Sequence, residues 1–164
     1  MVKIGKKAPK WKASAYRQGE FAVVKSSDLK GSWYLVYWWP FNFTGLCHSE
    51  VTGFQNLEAE FEALDVQLFG ASCDSFHSHK KWFSDENAFP SGAPKHDILA
   101  DNTHNVTSKF GFYIKDIGCA SRAYVLVDPE GIVRSAGANF LNVARNPSDI
   151  LVTPRHLFGG VPVL

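Results

Sequence analysis

The chain contains two long apolar runs in its first half, and each predicts a β-strand that is covered on both faces. Residues 32–39 read "SWYLVYWW", a continuous run rich in strand-favouring residues, and residues 65–74 read "DVQLFGASCD". Pro40 ends the first run because proline cannot donate a hydrogen bond to a neighbouring strand. Shorter apolar stretches predict further strands at residues 21–25 and within residues 96–102.

Apolar residues also recur at steps of three and four, which is the spacing of one helical face. This spacing predicts a single amphipathic helix that runs on from Cys47. Its apolar positions are Val51, Phe54, Leu57, Phe61 and Leu64. Residues 75–89 predict a second helix, and residues 103–112 predict a short third one.

The last third of the chain reads as a hairpin followed by a short helix. Residues 121–139 contain an apolar strand, an Asp-Pro-Glu-Gly turn and a second strand. Asn146 is expected to cap the last helix, with Pro147 at its first position. Because proline breaks a helix interior, we expect Pro154 to keep this helix short.

The order of these elements predicts an α/β fold in which helices flank a central mixed sheet. We find no internal repeat, low-complexity tract or linker that would divide the chain. Residues 1–164 are therefore expected to form one domain, with a short C-terminal tail at about 155–164.

The composition of the chain mainly excludes classes of partner and of binding site. The net charge is +1 and 45% of the residues are hydrophobic, which favours neither a nucleic-acid partner nor an electrostatic membrane anchor. Three cysteines, an odd number, do not form a disulfide framework, so we expect a cytoplasmic protein with reduced thiols. The six histidines lack the spacing of a zinc site, so we expect no metal and no cofactor.

Cys47 is the main candidate for chemistry, because it follows a central strand and opens a helix. Backbone N–H groups at a helix N-terminus favour a thiolate, and the pKa of a cysteine there can fall from about 8.5 to roughly 3.5–7.5. Thr44 places a hydroxyl one turn earlier, and Pro40 stiffens the approach and shields the sulfur from water. The alternative for any single cysteine is a buried structural thiol.

The stretch "PFNFTGLC" resembles the active-site motif of the peroxiredoxins. Its residues are Pro40, Thr44 and Cys47, and Glu50 falls where that family often has a glutamate. The segment "DSFHSHKKW" is similar to one in the branch formed by the C-subunit of alkyl hydroperoxide reductase. Its matching residues are Asp74, Ser75, His79 and Trp82.

The resemblance extends from about residue 3 to residue 150. "ILADNTHNVTSKFGF" and "GCASRAYVLVDPEGIVR" resemble two further segments of the same branch, and the second of them carries Arg122. "NFLNVARNPSDIL" resembles the stretch with the family's second arginine, here Arg145. Glu50 and Arg145 are therefore expected to support the site.

The resemblance implies a thioredoxin-like fold and reduction of hydrogen peroxide and organic hydroperoxides. Cys47 would attack a peroxide oxygen and become a sulfenic acid. Thr44 would hydrogen-bond the peroxide, and Arg122 would stabilise both the thiolate and the charge that develops on the leaving oxygen. The implied partners are a peroxide, an external thiol reductant (thioredoxin-like, glutaredoxin-like or a small thiol) and further copies of the chain.

The chain departs from the family pattern in its thiols. Typical two-cysteine members carry Val-Cys-Pro near the C-terminus, whereas this sequence has Val161-Pro162 without the cysteine. Cys119 is therefore either a resolving cysteine or a buried thiol, and Cys73 is expected to be a buried thiol. An alternative function is a peroxide sensor or chaperone-like assembly that signals through oxidation of Cys47.

Overall fold

The computed structural model describes residues 2–158, and a seven-stranded mixed β-sheet forms the centre of this part of the chain. A two-stranded ribbon lies beside it. The strands are β1 (Lys12–Arg17), β2 (Glu20–Lys25), β3 (Trp33–Trp38), β4 (Val66–Ser72), β5 (Asp97–Ala100), β6 (Tyr113–Ile114), β7 (Cys119–Ala120), β8 (Arg122–Val127) and β9 (Val133–Asn139).

The strand order in the large sheet is β2-β1-β5-β4-β3-β8-β9. Strands β3, β4 and β5 are parallel to one another, whereas β1 pairs antiparallel with β2 and β5. β8 and β9 form the expected antiparallel hairpin, and β8 also pairs with β3. The predicted α/β fold with a mixed sheet is therefore confirmed, and the continuous apolar run of β3 lies near the middle of the sheet.

Five α-helices cover the two faces of the sheet in the described residues. They are α1 (Gly45–Asn56), α2 (Glu58–Ala63), α3 (Phe76–Phe83), α4 (Asn105–Lys109) and α5 (Pro147–Phe158). Successive side chains of a strand point to opposite faces. Tyr34 and Trp38 of β3 therefore pack with Val106 of α4, whereas Tyr37 packs with Phe54 of α1 in a second core.

The predicted long helix after Cys47 is two helices. The backbone at Leu57 adopts φ −102° and ψ 2°, and its N–H donates to the carbonyl of Phe54, three residues back, at 3.0 Å. The apolar spacing persists through this turn, since Phe61 of α2 is also buried. Periodicity correctly predicts the buried face but does not detect the break.

The second predicted helix ends at Phe83 rather than Phe89. The side chain of Asp85 accepts hydrogen bonds from the backbone N–H groups of Asn87 at 2.9 Å and Ala88 at 3.4 Å. A side chain that bonds nearby backbone donors in this way competes with helix formation. The remaining residues of the predicted helix therefore form a loop.

The expectation that Pro154 keeps the last helix short is wrong, because α5 continues through Pro154 to Phe158. Asn146 does cap the helix, since its Oδ1 accepts from the N–H of Ser148 at 3.0 Å. Ile150 and Leu151 are buried, which offsets the cost of roughly 3 kcal/mol for proline inside a helix.

Residues 155–158 of the expected tail belong to α5, whereas residues 159–164, where the missing Val-Cys-Pro cysteine was considered, lie outside the described residues. At the other end, strand β1 was not predicted. Its small side chains, such as Ala13 and Ala15, give a weak apolar pattern although both are buried.

Candidate active site

Cys47 lies inside the first turn of α1, because this helix begins at Gly45, two residues before the predicted start. Thr44 is the N-cap residue, with extended backbone angles of φ −119° and ψ 147°. Backbone N–H groups in a first turn have no partner within the helix and carry partial positive charge. The Cys47 side chain is only 1% exposed, so this dipole acts in a region from which water is largely excluded.

A guanidinium group contacts the thiol directly. Nη1 of Arg122, on β8, donates to Sγ of Cys47 at 3.4 Å, although the two residues are 75 positions apart in the chain. The Nε of Arg122 donates to the carbonyl of Leu141 at 2.8 Å, which fixes the plane of the group. The first strand of the hairpin therefore brings a buried positive charge to the helix that carries Cys47.

Glu50 joins this arginine to a second one. Its Oε1 lies 3.3 Å from Nη1 of Arg122, and its Oε2 accepts from Nε and Nη2 of Arg145 at 3.2 and 3.1 Å. Arg145 also donates to the carbonyls of Ala123 and Trp38. Burial lowers the pKa of Arg145, and the negative charge of Glu50 opposes that effect.

The charges of this cluster do not balance without the thiol. One carboxylate, 2% exposed, stands against two guanidinium groups that are 6% and 7% exposed. The buried set therefore carries one excess positive charge, and a thiolate at Cys47 would make it neutral. A set of this kind suits an anion at the sulfur, because unpaired buried charge is costly.

Thr44 and Pro40 occupy different environments beside the helix start. The Oγ1 of Thr44 donates to the carbonyl of Phe41 at 2.8 Å and caps no helical N–H, and the residue is exposed. A hydroxyl that donates this bond still has acceptor lone pairs that a ligand can use. Pro40 is buried directly after β3, so it contributes to the apolar wall that leads to the site.

Asn42 organises the loop between Pro40 and Thr44, and sequence reasoning missed it. Its side chain is 5% exposed, accepts from Nε1 of Trp39 at 2.9 Å, and donates to Nδ1 of His79 at 3.0 Å. Its backbone N–H donates to Oδ2 of Asp74 at 3.1 Å. An asparagine in a loop carries no distinctive spacing, and only the quoted Asp-Ser-x-x-x-His segment hinted at its partners.

His48 follows Cys47 and packs against a loop. Its Nε2 lies 2.6 Å from the carbonyl of Ala88, and its ring contacts Trp82 and Phe89 with centroid separations of 6.4 and 5.0 Å. The imidazole thus ties α1 to the loop that replaces the end of the predicted second helix.

The environments of the two other cysteines disfavour the reactive thiolate form. Cys73 is half-buried, donates to Oγ1 of Thr107 at 3.7 Å, and has its pKa raised to about 12 by burial. Cys119 is fully buried on β7. Burial raises its pKa, the negative charge of Cys47 raises it further, and Arg122 partly opposes both effects. Cys119 therefore lies within electrostatic range of the site.

Residues 2–158 contain no cluster of three or more histidine, cysteine, aspartate or glutamate side chains arranged to hold a metal ion. Within the same part of the chain, no helix is both long and apolar enough to cross a membrane. All three thiols are free.

Comparisons with known proteins agree with this fold. The model of the AhpC/TSA family matches residues 4–136. A protein of Clostridium pasteurianum named "Putative peroxiredoxin in rubredoxin operon" is 36% identical over 151 residues, which cover 90% of this chain and 85% of that protein. Peroxiredoxin-2 of Bos taurus is 33% identical over 90% of this chain and 75% of its own length.

The solved structures give the same result for the fold. AhpC of Enterococcus faecalis superposes with a TM-score of 0.90 at 27% identity, covering 100% of this chain and 99% of that one. The chain therefore belongs to the AhpC/TSA family and is a peroxiredoxin with a thioredoxin-like fold. As an enzyme it is a thiol-dependent peroxidase.

Proposed function

We propose that Cys47 is the nucleophile that reduces hydrogen peroxide and organic hydroperoxides. The single observation that carries this assignment is the 3.4 Å contact between Sγ of Cys47 and Nη1 of Arg122 in the first turn of a helix. The thiolate attacks one peroxide oxygen, an S–O bond forms and the O–O bond breaks. The sulfur is oxidised to sulfenic acid, and the other oxygen takes a proton and leaves as water or an alcohol.

The neighbouring groups act on the charge that moves during this step. Negative charge passes from the sulfur to the leaving oxygen, so a donor fixed along that path stabilises the transition state more than the ground state. Arg122 is that donor, and the Thr44 hydroxyl binds the peroxide. Glu50 and Arg145 hold Arg122 in position, while Pro40 limits the access of water.

We infer that an external thiol reduces the sulfenic acid. Cys119 is the alternative resolving thiol, but it is fully buried and its raised pKa keeps it protonated. A thiolate, and not a thiol, is the species that attacks sulfenic or disulfide sulfur. A thioredoxin-like protein, a glutaredoxin-like protein or a small thiol would serve, and the enzyme would act as a homo-oligomer in the cytoplasm.

The nucleophile assignment is tested with two cysteine variants. Cys47→Ser should abolish peroxide consumption in a stopped-flow assay, whereas Cys73→Ser should leave the initial oxidation rate within about twofold, because a thiol with a pKa of about 12 is protonated at neutral pH. Equal loss in both variants would overturn the assignment.

The role of Arg122 is tested against a matched arginine on the same hairpin. Arg122→Ala should slow Cys47 oxidation by roughly 100-fold or more, the usual loss for removing one oxyanion donor. Arg134 pairs with Asp128 at 2.6 Å and is half-exposed, so Arg134→Ala removes a guanidinium group without touching the site. A rate for Arg122→Ala equal to that of Arg134→Ala would contradict the proposed role.

The fate of the sulfenic acid is tested by intact mass after one equivalent of peroxide. We expect one added oxygen on Cys47 and no covalent dimer, because Cys119 is buried and burial raises the pKa of Cys73 to about 12. A loss of two hydrogens that disappears in Cys119→Ser would instead assign resolution to Cys119. A Cys47–Cys73 bond as the main product would contradict both routes.

A further inference from the structure

A second cavity lies away from the peroxidatic thiol and has a strongly basic rim. Its volume is about 590 Å³, which is within the range of small-molecule sites. Buried side chains of Trp11, Leu29 and Tyr34 form its floor. Six exposed lysines surround the opening: Lys7, Lys10, Lys12, Lys25, Lys30 and Lys109.

The charge of this lysine rim is largely uncompensated. The lining contains two carboxylates, Asp128 and Glu130, against six ammonium groups, and Asp128 is already paired with Arg134 at 2.6 Å. The ammonium groups of Lys7 and Lys109 donate to backbone carbonyls, which carry no full charge. No ion pair involving a rim lysine occurs among residues 2–158.

Two of the lysines face each other in the sheet. Lys12 of β1 is directly opposite Lys25 of β2 in the antiparallel register. Like charges directly opposite one another destabilise a strand pair, so the free protein carries a repulsion that a bound anion would relieve. Both residues also line the cavity.

The floor has an unsatisfied donor. In the described part of the chain, Nε1 of Trp11 is the one buried side-chain nitrogen or oxygen without a hydrogen-bond partner. Burial raises the pKa of the neighbouring Tyr34, and a weak interaction with the indole N–H partly opposes this effect, although its geometry falls short of a full hydrogen bond. A buried polar group left without a partner is costly and uncommon in native proteins.

We propose that the cavity binds a nucleoside polyphosphate, with the base on the apolar floor and the phosphates among the rim lysines. A lysine is a compact point charge that suits phosphate oxygens, and several of them match a ligand with several negative charges. A base offers a flat apolar surface to the floor. A simple inorganic anion would use only the rim.

This site is separate from the peroxidase site. Tyr34 belongs to the core on one face of the sheet, together with Trp11 and Leu29, whereas Cys47 belongs to the core on the other face. Tyr34 also lies at the start of β3, and Cys47 follows the end of that strand. Cys47→Ser should therefore bind the nucleotide as tightly as the unchanged chain does.

The test is calorimetric titration of the reduced full-length chain with ADP, pyrophosphate and adenosine at low ionic strength. ADP should bind at least about tenfold more tightly than either fragment, because it alone uses both floor and rim. If pyrophosphate bound as tightly as ADP, the protein would recognise only the negative charge, and the proposed base-binding floor would be refuted. Absence of binding by ADP would equally overturn the proposal.

Variants distinguish a built site from general positive charge. Lys25→Glu combined with Lys109→Glu should weaken ADP binding by at least about tenfold and increase the melting temperature of the free protein, since the first change removes the repulsion with Lys12. Lys81→Glu combined with Lys115→Glu makes the same change in net charge at exposed positions outside the cavity. An equal loss of affinity in both double variants would refute the site.

Discussion

His79 makes the stability of this protein sensitive to mild acid. The ring is fully buried, its Nε2 donates to the carbonyl of Leu99 at 3.1 Å, and its Nδ1 accepts from Asn42 at 3.0 Å. Burial lowers its pKa from 6.5 to about 4. Below pH 6.5 the unfolded chain therefore binds a proton at this position, whereas the folded chain binds one only near pH 4.

The size of the effect follows from that interval. At 1.36 kcal/mol per pKa unit, His79 should reduce the free energy of unfolding by about 3 kcal/mol as the pH falls from 7 to 4. The contribution of neutral His79 to the free energy of unfolding is thus fully present at neutral pH and is lost as the pH falls from about 6.5 to about 4. Because carboxylates also titrate near its lower end, the quantity to compare is the difference between the native chain and His79→Gln, which cannot titrate.

Urea unfolding at several pH values measures this difference. The native chain should lose about 3 kcal/mol more than His79→Gln between pH 7 and 4, whatever the two stabilities are at pH 7. His77→Gln is the matched control, because His77 is exposed and lies two residues earlier on α3. If the native chain and His79→Gln lose stability in parallel, the reasoning is wrong.

Two further changes test the packing around the site. Glu50→Gln leaves two buried guanidinium groups without a carboxylate and should lower the free energy of unfolding by roughly 3 kcal/mol, whereas Glu62→Gln on the surface should change it by less than about 0.5 kcal/mol. A Cβ at Gly70 would lie 2.8 Å from Cδ1 of Ile98. Gly70→Ala should therefore cost about 1–3 kcal/mol in the same urea assay, and Gly45→Ala, which meets nothing within 4 Å, should not.

Local patterns predicted most of the fold because each one reflects burial. The apolar run of β3 and the hairpin of β8 and β9 were predicted from their residues, and both lie in the sheet. The errors in the helix boundaries occur where local backbone geometry, and not burial, determines where a helix ends. The turn at Leu57 and the Asp85 side chain each end a helix without changing which residues are apolar, whereas Pro154 does not end the helix that contains it.

Sequence patterns predicted less of the site than of the fold. The place of Cys47 at a helix start follows from the strand and the apolar spacing around it. Its contact with Arg122 does not, because a distance of 75 positions carries no periodic signal, and only the family resemblance suggested it. Asn42 itself left no signal, since its importance depends on partners such as Trp39 and His79 that meet it only in the folded chain.

The position of Arg145 has a consequence for how the protein is made. This residue follows the last strand, and it supplies three of the hydrogen bonds to Glu50, one of them from its backbone N–H. During synthesis from the N-terminus, α1 and the sheet precede it, so the nascent chain contains Cys47 and Glu50 long before their charge partner emerges. A ribosome-bound chain that ends before residue 145 would have an incomplete charge cluster, so the thiol would gain its full environment only after Arg145 has been synthesised.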